Sequence, residues 1–220
     1  MIDRLLSIIA PHSCCGCGNT GYILCDYCKY DIISDMDESC LLCQLPTSVN
    51  NLCSSCQLSS GYNGAWYVSH RKDTLKLLID IYKFKSAIEV ANVCVEFLST
   101  KLPVLPDDIV IVPVPTAPAH RRSRGFDHTD MFVRKLAKLR KLPYRQVLER
   151  TNNQTQHFKT KTERHINAIH GLRLNGKVPE KVLLVDDIYT TGATIRACTD
   201  VLRAGGAKEV YVAVLARQPR

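Results

Sequence analysis

No apolar run in this 220-residue chain approaches the length of a membrane-spanning helix, so no transmembrane segment is expected. The opening MIDRLLSIIAP is apolar but short, carries Asp3 and Arg4, and lacks a small-residue cleavage site. It reads as a short amphipathic helix in place of a secretory leader, and the compartment expected is the reducing cytoplasm. Metal-ligand spacing is missing among the histidines: His12, His70, His120, His165 and His170 are scattered, and surface or core roles are the default for each. Nothing in the chain reads as a pocket for a nucleobase. Acidic residues are scarce in one region. From His120 to Arg173 there are 14 Lys/Arg against 4 Asp/Glu, while the net charge of the whole chain is +8. That excess suits phosphates, on a nucleotide or a polynucleotide; a solvated basic face is the plainer alternative.

Cysteine, by contrast, is abundant. Nine of the eleven fall before residue 57, and eight of these form four C-x-x-C pairs: Cys14/Cys17, Cys25/Cys28, Cys40/Cys43 and Cys53/Cys56. A C-x-x-C knuckle gives two thiolates the bite that tetrahedral zinc requires, and no thioredoxin-like context favours a redox role. Spacing alone leaves an iron–sulfur cluster open. Eight ligands make two four-cysteine sites, paired either sequentially (14/17/25/28 with 40/43/53/56) or cross-braced (14/17/40/43 with 25/28/53/56). The short spacers inside each half favour sequential pairing. The metal is expected to replace a missing core. Cys15 reads as a spectator thiol, and Cys94 and Cys198 as buried small hydrophobes.

Beyond residue 60 the pattern changes. LSSGYNG (58–64) reads as a linker, and Tyr62, Trp66 and Tyr67 as packing at the junction. Strands are expected over AWYVSH, DDIVIVPVP, KVLLVDD and KEVYVAVLA, with amphipathic helices over KDTLKLLIDIYKFK, SAIEVANVCVEFLSTKL (Ser86 as its cap), GFDHTDMFVRKLAKLRK and TGATIRACTDVLRAGGA. Residues 148–171 are polar and basic, without sheet or core periodicity. Strands alternating with helices imply a parallel α/β sheet covered on both faces.

The segment VLLVDDIYTTGAT (182–194) carries chemistry. A buried strand delivers Asp186 and Asp187 to its carboxyl end, where open α/β sheets bind ligands. The turn that follows leads into a helix whose exposed amides favour a phosphate. Gly192 allows close approach, Thr190, Thr191 and Thr194 add hydroxyls, and Ala193 completes the phosphate-binding turn. Two carboxylates beside such a cradle suit the vicinal hydroxyls of a ribose, directly or through Mg²⁺. Together they describe a ribose 5-phosphate site.

The same segment is similar to the 5-phosphoribosyl-1-pyrophosphate (PRPP) signature of type I phosphoribosyltransferases. The chain as a whole resembles the ComF family, in which a cysteine-rich zinc finger precedes such a domain. IVPVPTAPAHRRSRGFDH is similar to that family's V-P-V-P…R-x-R-G-F-N-Q segment, NQTQHFKTKTERHIN to its Q-x-x-L…R-x-x-N, and YKFK to its L-K-F-x-G. Three departures stand out: Asp127-His128 for Asn-Gln, His157-Phe158 for the Leu, and no Gly after Lys-Phe, with Ser86 nearby. They are expected to bear on the acceptor side and to leave the ribose-phosphate site untouched.

The resemblance implies a type I phosphoribosyltransferase-like parallel sheet flanked by helices over 61–220 and a small zinc-binding module over 1–60. It implies two structural zinc ions, and Mg²⁺ with PRPP. Thr116, in the loop Pro115–Ala117, together with Arg121, Arg122, Arg124 and Lys83, would face pyrophosphate. Residues 151–171 correspond to a hood over the site. Gln156, Arg164 and Asn167 match the family motif there, Arg164 as the catalytic candidate beside Lys159 and Lys161. The family is associated with natural competence, so single-stranded DNA and a helicase-like competence protein are the implied partners. A nucleobase salvage or biosynthetic phosphoribosyltransferase and a PRPP-sensing regulator without turnover are the alternatives.

Overall fold

The structure, a computed structural model, describes residues 13–36, 38–47, 51–85, 88–117, 127–150 and 171–219. In chain order the elements are α1 (Asp26–Ser34), α2 (Ser54–Ser60), β1 (Gly64–His70), α3 (Asp73–Lys85), α4 (Ile88–Lys101), β2 (Val110–Pro113), α5 (His128–Arg140), β3 (Leu148–Arg150), β4 (Leu172–Leu174), β5 (Lys181–Tyr189), α6 (Ala193–Ala204) and β6 (Glu209–Arg217). Four strands form a parallel sheet in the order β1-β6-β5-β2. The segment around Tyr144 extends it beyond β2 through a parallel bridge to Ile111. β3 and β4 make a separate antiparallel ribbon.

Side chains alternate across a strand, so each aliphatic run serves two cores. Trp66, Val68, Ile111, Leu183, Val185, Ala213 and Leu215 face α3, α4 and α5. Ala65, Tyr67, Val110, Val112, Val182, Leu184, Val210, Val212 and Val214 face α6 and the β3–β4 ribbon. Cys94 and Cys198 are fully buried, one in each core, and Tyr62, Trp66 and Tyr67 pack inside as expected. The cysteine knuckles divide in the same way. Cys14, Cys25 and Cys28 pack with the first face, Cys40 and Leu41 with the second, so the two knuckles straddle the β1 side of the sheet.

The winding creates the cleft. The chain leaves β2 toward α5 on the first face, and leaves β5 toward α6 on the opposite face. Adjacent strands whose connections part in this manner open a crevice at their carboxyl ends. No helix among the described residues is long and apolar enough to cross a membrane. The expected helix over 1–11 and the Ser86 cap lie outside the described residues.

Some boundaries differ from expectation. β2 covers four residues of DDIVIVPVP, because the prolines break its ladder. β5 does not end at Asp187 but continues to Tyr189, since β6 offers it partners as far as Arg217. β3 was not expected at all. It lies in the stretch read as without sheet periodicity, and it is three residues long with its partner more than twenty residues away.

Candidate functional site

Because β5 continues through both carboxylates, its alternation sends them to opposite faces. Asp187 shares the parity of Val185 and meets the α3 and α5 side. Its Oδ2 accepts from Lys83 Nζ at 2.7 Å and from His128 Nε2 at 3.1 Å. Asp186 shares the parity of Leu184, and its Oδ1 accepts the Asp187 amide at 2.9 Å. Burial works to raise both carboxyls. At Asp187 the His128 hydrogen bond and the Lys83 charge outweigh burial and hold the group well below the usual carboxylate range. At Asp186 burial and the neighbouring Asp187 charge act together and push the group well above it.

A cavity of about 300 Å³ opens on these groups. It is lined by Val114 to Ala117 after β2, Asp186 and Asp187, Thr194 at the start of α6, and Lys83, His128, Thr129 and Arg150. Thr116 Oγ1 donates to Asp127 Oδ1 at 2.9 Å, and the same carboxylate oxygen caps α5 by accepting the Asp130 amide at 3.1 Å. The loop after β2 is thereby pinned to a helix start. Across the cavity, Gly192 adopts φ 76° immediately before α6, and Thr191 Oγ1 accepts the Ala193 amide at 3.3 Å. Thr190, Thr191 and Ala193 are exposed.

Of the residues singled out in the sequence, the structure brings together Lys83, Thr116, Asp186, Asp187 and Thr194 around the cavity, and Thr190 to Ala193 adjoin Thr194 without lining the cavity. Arg121, Arg122, Arg124, Gln156, Lys159, Lys161, Arg164 and Asn167 lie outside the described residues. His128, Thr129 and Arg150 were not anticipated in the lining. His128 was expected on the acceptor side, leaving the ribose-phosphate site untouched; instead it is hydrogen-bonded to Asp187. It reaches the carboxylate because the Asp127 cap turns the first residue of α5 inward. Arg150 was hidden in a segment read only as basic; the short β3–β4 pairing that presents it leaves no periodic signal. The donor set of Asp186 and Asp187, all oxygen, fits a hard cation such as Mg²⁺ or the hydroxyls of a sugar.

The cysteines resolve into two groups, Cys14/Cys17/Cys25/Cys28 and Cys40/Cys43/Cys53/Cys56, with the sulfurs of each within 4.8 Å of one another. Pairing is therefore sequential. Both groups use one local design. The first knuckle has Gly18 N donating to Cys14 O, the second Gln44 N to Cys40 O. The third cysteine of each group immediately precedes a short helix, α1 or α2, and the fourth lies in its first turn. The Sγ–Sγ separations of Cys14–Cys25, Cys17–Cys25 and Cys43–Cys53 are 3.7, 3.6 and 3.6 Å, close to the roughly 3.8 Å edge of a tetrahedron with metal–sulfur bonds of about 2.3 Å. Burial acts to raise the Cys14 thiol, but amides of Cys25, Cys17 and Gly16 outweigh it and bring it down to about 6. Burial and the neighbouring thiols push Cys28 up. Four sulfurs held this close need a cation to be charged together, and their chemistry and spacing fit zinc. Cys15 stands outside the group, half-buried.

Residues 132–220 match the model of the phosphoribosyl transferase domain family. The chain is 30% identical over 207 residues to the competence protein ComFC of Bacillus subtilis, covering 88% of this chain and 84% of that one. It is 32% identical over 192 residues to the DNA utilization protein YhgH of Salmonella typhi, covering 81% and 83%. Among solved structures, adenine phosphoribosyltransferase from Thermoanaerobacter pseudethanolicus aligns with a TM-score of 0.39 at 16% identity, covering 66% of this chain and 75% of that one.

Proposed function

Because the chain belongs to the ComF family of competence-type, phosphoribosyltransferase-like proteins, we propose that its cleft binds PRPP and that the protein serves DNA uptake in contact with single-stranded DNA. One observation carries the first half: a single cavity joins the carboxylate pair, Thr194 in the first turn of α6 and the pinned loop after β2, and the Thr/Gly turn leads directly into Thr194. A sugar bearing a 5′-phosphate and a 1-pyrophosphate needs those three surfaces at once. The turn 190–194 takes the 5′-phosphate through amides and hydroxyls. Asp186 and the remaining oxygen of Asp187 accept the ribose hydroxyls. Thr116, with Lys83 behind it, faces the pyrophosphate. Mg²⁺, held at Asp186 and Asp187, supplies charge neutralisation for the phosphates when bound. If turnover occurs, the bond broken is C1 to the pyrophosphate oxygen, and an acceptor nucleophile takes its place. The chain's own contribution is orientation and stabilisation of the departing charge. Arg121, Arg122, Arg124 and Arg164 are proposed to add to it, on the resemblance alone.

The second half rests on charge and aromatic surface. The excess of Lys/Arg between 120 and 173 suits a polyanion. On the first cysteine knuckle Tyr22, Tyr27 and Tyr30 are 59%, 78% and 70% exposed, which suits stacking of unpaired bases. The two cysteine groups are proposed to hold zinc structurally.

Calorimetric titration of PRPP with Mg²⁺ tests the reading. Saturable binding is expected in the wild type and its loss in Asp186→Ala/Asp187→Ala; equal binding by the double variant removes the assigned site. Salt-dependent binding of a single-stranded oligonucleotide, weakened in Tyr27→Ala/Tyr30→Ala, is expected from the DNA reading. Pyrophosphate release that requires one particular base would instead favour a salvage enzyme.

A further inference from the structure

We infer that Arg150 is a binding residue for the 5′-phosphate of the sugar in the cleft; the inference rests on the cleft reading above and deepens it. Arg150 closes β3, is half-buried, and lines the cavity. Its Nε donates to the carbonyl oxygen of Pro115 at 3.1 Å, and its Nη2 to Thr194 Oγ1 at 3.5 Å. Both acceptors are neutral. Among the described residues no carboxylate forms an ion pair with this guanidinium, although Asp186 and Asp187 line the same cavity. A cation that faces a cleft, is fixed by neutral oxygens and is left without a counter-charge is prepared for an anionic ligand.

The position selects which anion. The turn 190–194 supplies the partial charges of a helix start and hydroxyls but no cationic side chain of its own. Arg150 reaches that turn at Thr194. Its Pro115 contact uses the Nε hydrogen and so orients the planar fork, leaving Nη hydrogens for oxygens held in the turn. A lysine has no such fork, so charge alone would restore only part of the function.

Wild type, Arg150→Met and Arg150→Lys are titrated separately with ribose 5-phosphate and with inorganic pyrophosphate. Loss of a charge-assisted contact predicts affinity for ribose 5-phosphate lower by roughly 10- to 100-fold in Arg150→Met, and by less in Arg150→Lys, with pyrophosphate affinity changed by less than about threefold. Unchanged ribose 5-phosphate affinity overturns the inference. So does a loss confined to pyrophosphate, or an equal loss of both, which marks a residue that merely props the loop. A wild type that binds neither ligand overturns the cleft reading itself and this inference with it. If Arg150→Met fails to give a folded circular-dichroism spectrum, Arg150→Lys carries the comparison by the same criteria.

Discussion

Asp187 is a buried carboxylate with the Lys83 ammonium and the His128 ring on one oxygen, and the consequences of disturbing it are unequal. Lys83→Met removes one of the two and leaves an under-compensated charge in the cleft, which costs about 3 kcal/mol by denaturant unfolding. His128→Leu removes a hydrogen bond from a buried acceptor, about 2 kcal/mol. His128→Gln substitutes another N–H donor of similar reach and is expected to stay within about 1 kcal/mol of wild type. A His128→Gln as damaging as His128→Leu would mean that the imidazole has a role beyond donating to Asp187. Gly192 is a separate case. At φ 76° a side chain is strained, and a Cβ there would overlap the hydroxyl end of the Tyr189 ring. Gly192→Ala is expected to cost at least about 2 kcal/mol, a fall of roughly 4–8 °C in Tm for a chain of this size. A glycine turn at 192 was legible in the sequence from the Thr/Gly run that enters the helix, and its positive φ bears that out. The Tyr189 ring packed against it was not, since no local pattern records which way a strand's last side chain folds.

At the scale of elements, the aliphatic strands and the helix after the Thr/Gly turn were legible because burial on two faces leaves continuous apolar runs. What escaped was set by partners distant in sequence. β5 continues past its aspartates to Tyr189 only because β6 lies alongside, and β3 exists only because residues 172–174 return to it. The start of α5 combines both kinds of information. Asp127 is a readable cap by residue type, but its second duty, accepting Thr116 Oγ1 from the loop after β2, depends on the fold. Asp127→Ala is therefore expected to lower stability by about 1 kcal/mol through the cap and also to weaken pyrophosphate binding by freeing the loop. Asp127→Asn keeps an acceptor and should retain both. Stability measured beside pyrophosphate titration separates the two effects, and a variant that loses the cap energy but binds pyrophosphate normally would show that the loop holds without it.

Over the whole molecule, the four C-x-x-C pairs were legible as two four-cysteine groups able to hold a metal, but not that these groups would grip opposite faces of one sheet. The first group packs with α3 and the core of α3–α5, where Ser69 Oγ donates to Asp35 at 3.2 Å. The second is tied to the far end of β6: Arg217, 2% exposed, donates to the carbonyl oxygens of Leu41 at 2.5 Å and Leu42 at 3.1 Å. Arg217 pairs in register with Tyr189, whose ring lies against Gly192, so the second knuckle is two contacts from the turn before α6. Losing the metal there would leave a buried guanidinium without its carbonyls, a penalty several times that of an exposed charge. Chelation of both metals is expected to lower Tm by roughly 10 °C, since each kcal/mol lost moves a chain of this size by about 2–4 °C. The two sites should then separate by hydrogen exchange. Cys14→Ser/Cys17→Ser is expected to expose amides of α3 while β6 and the start of α6 stay protected. Cys40→Ser/Cys43→Ser is expected to expose the end of β6 and the turn at Gly192, and to weaken ribose 5-phosphate binding with it. Identical exchange patterns in the two variants would mean that the knuckles act as one unit, and that their division between the two faces has no energetic counterpart.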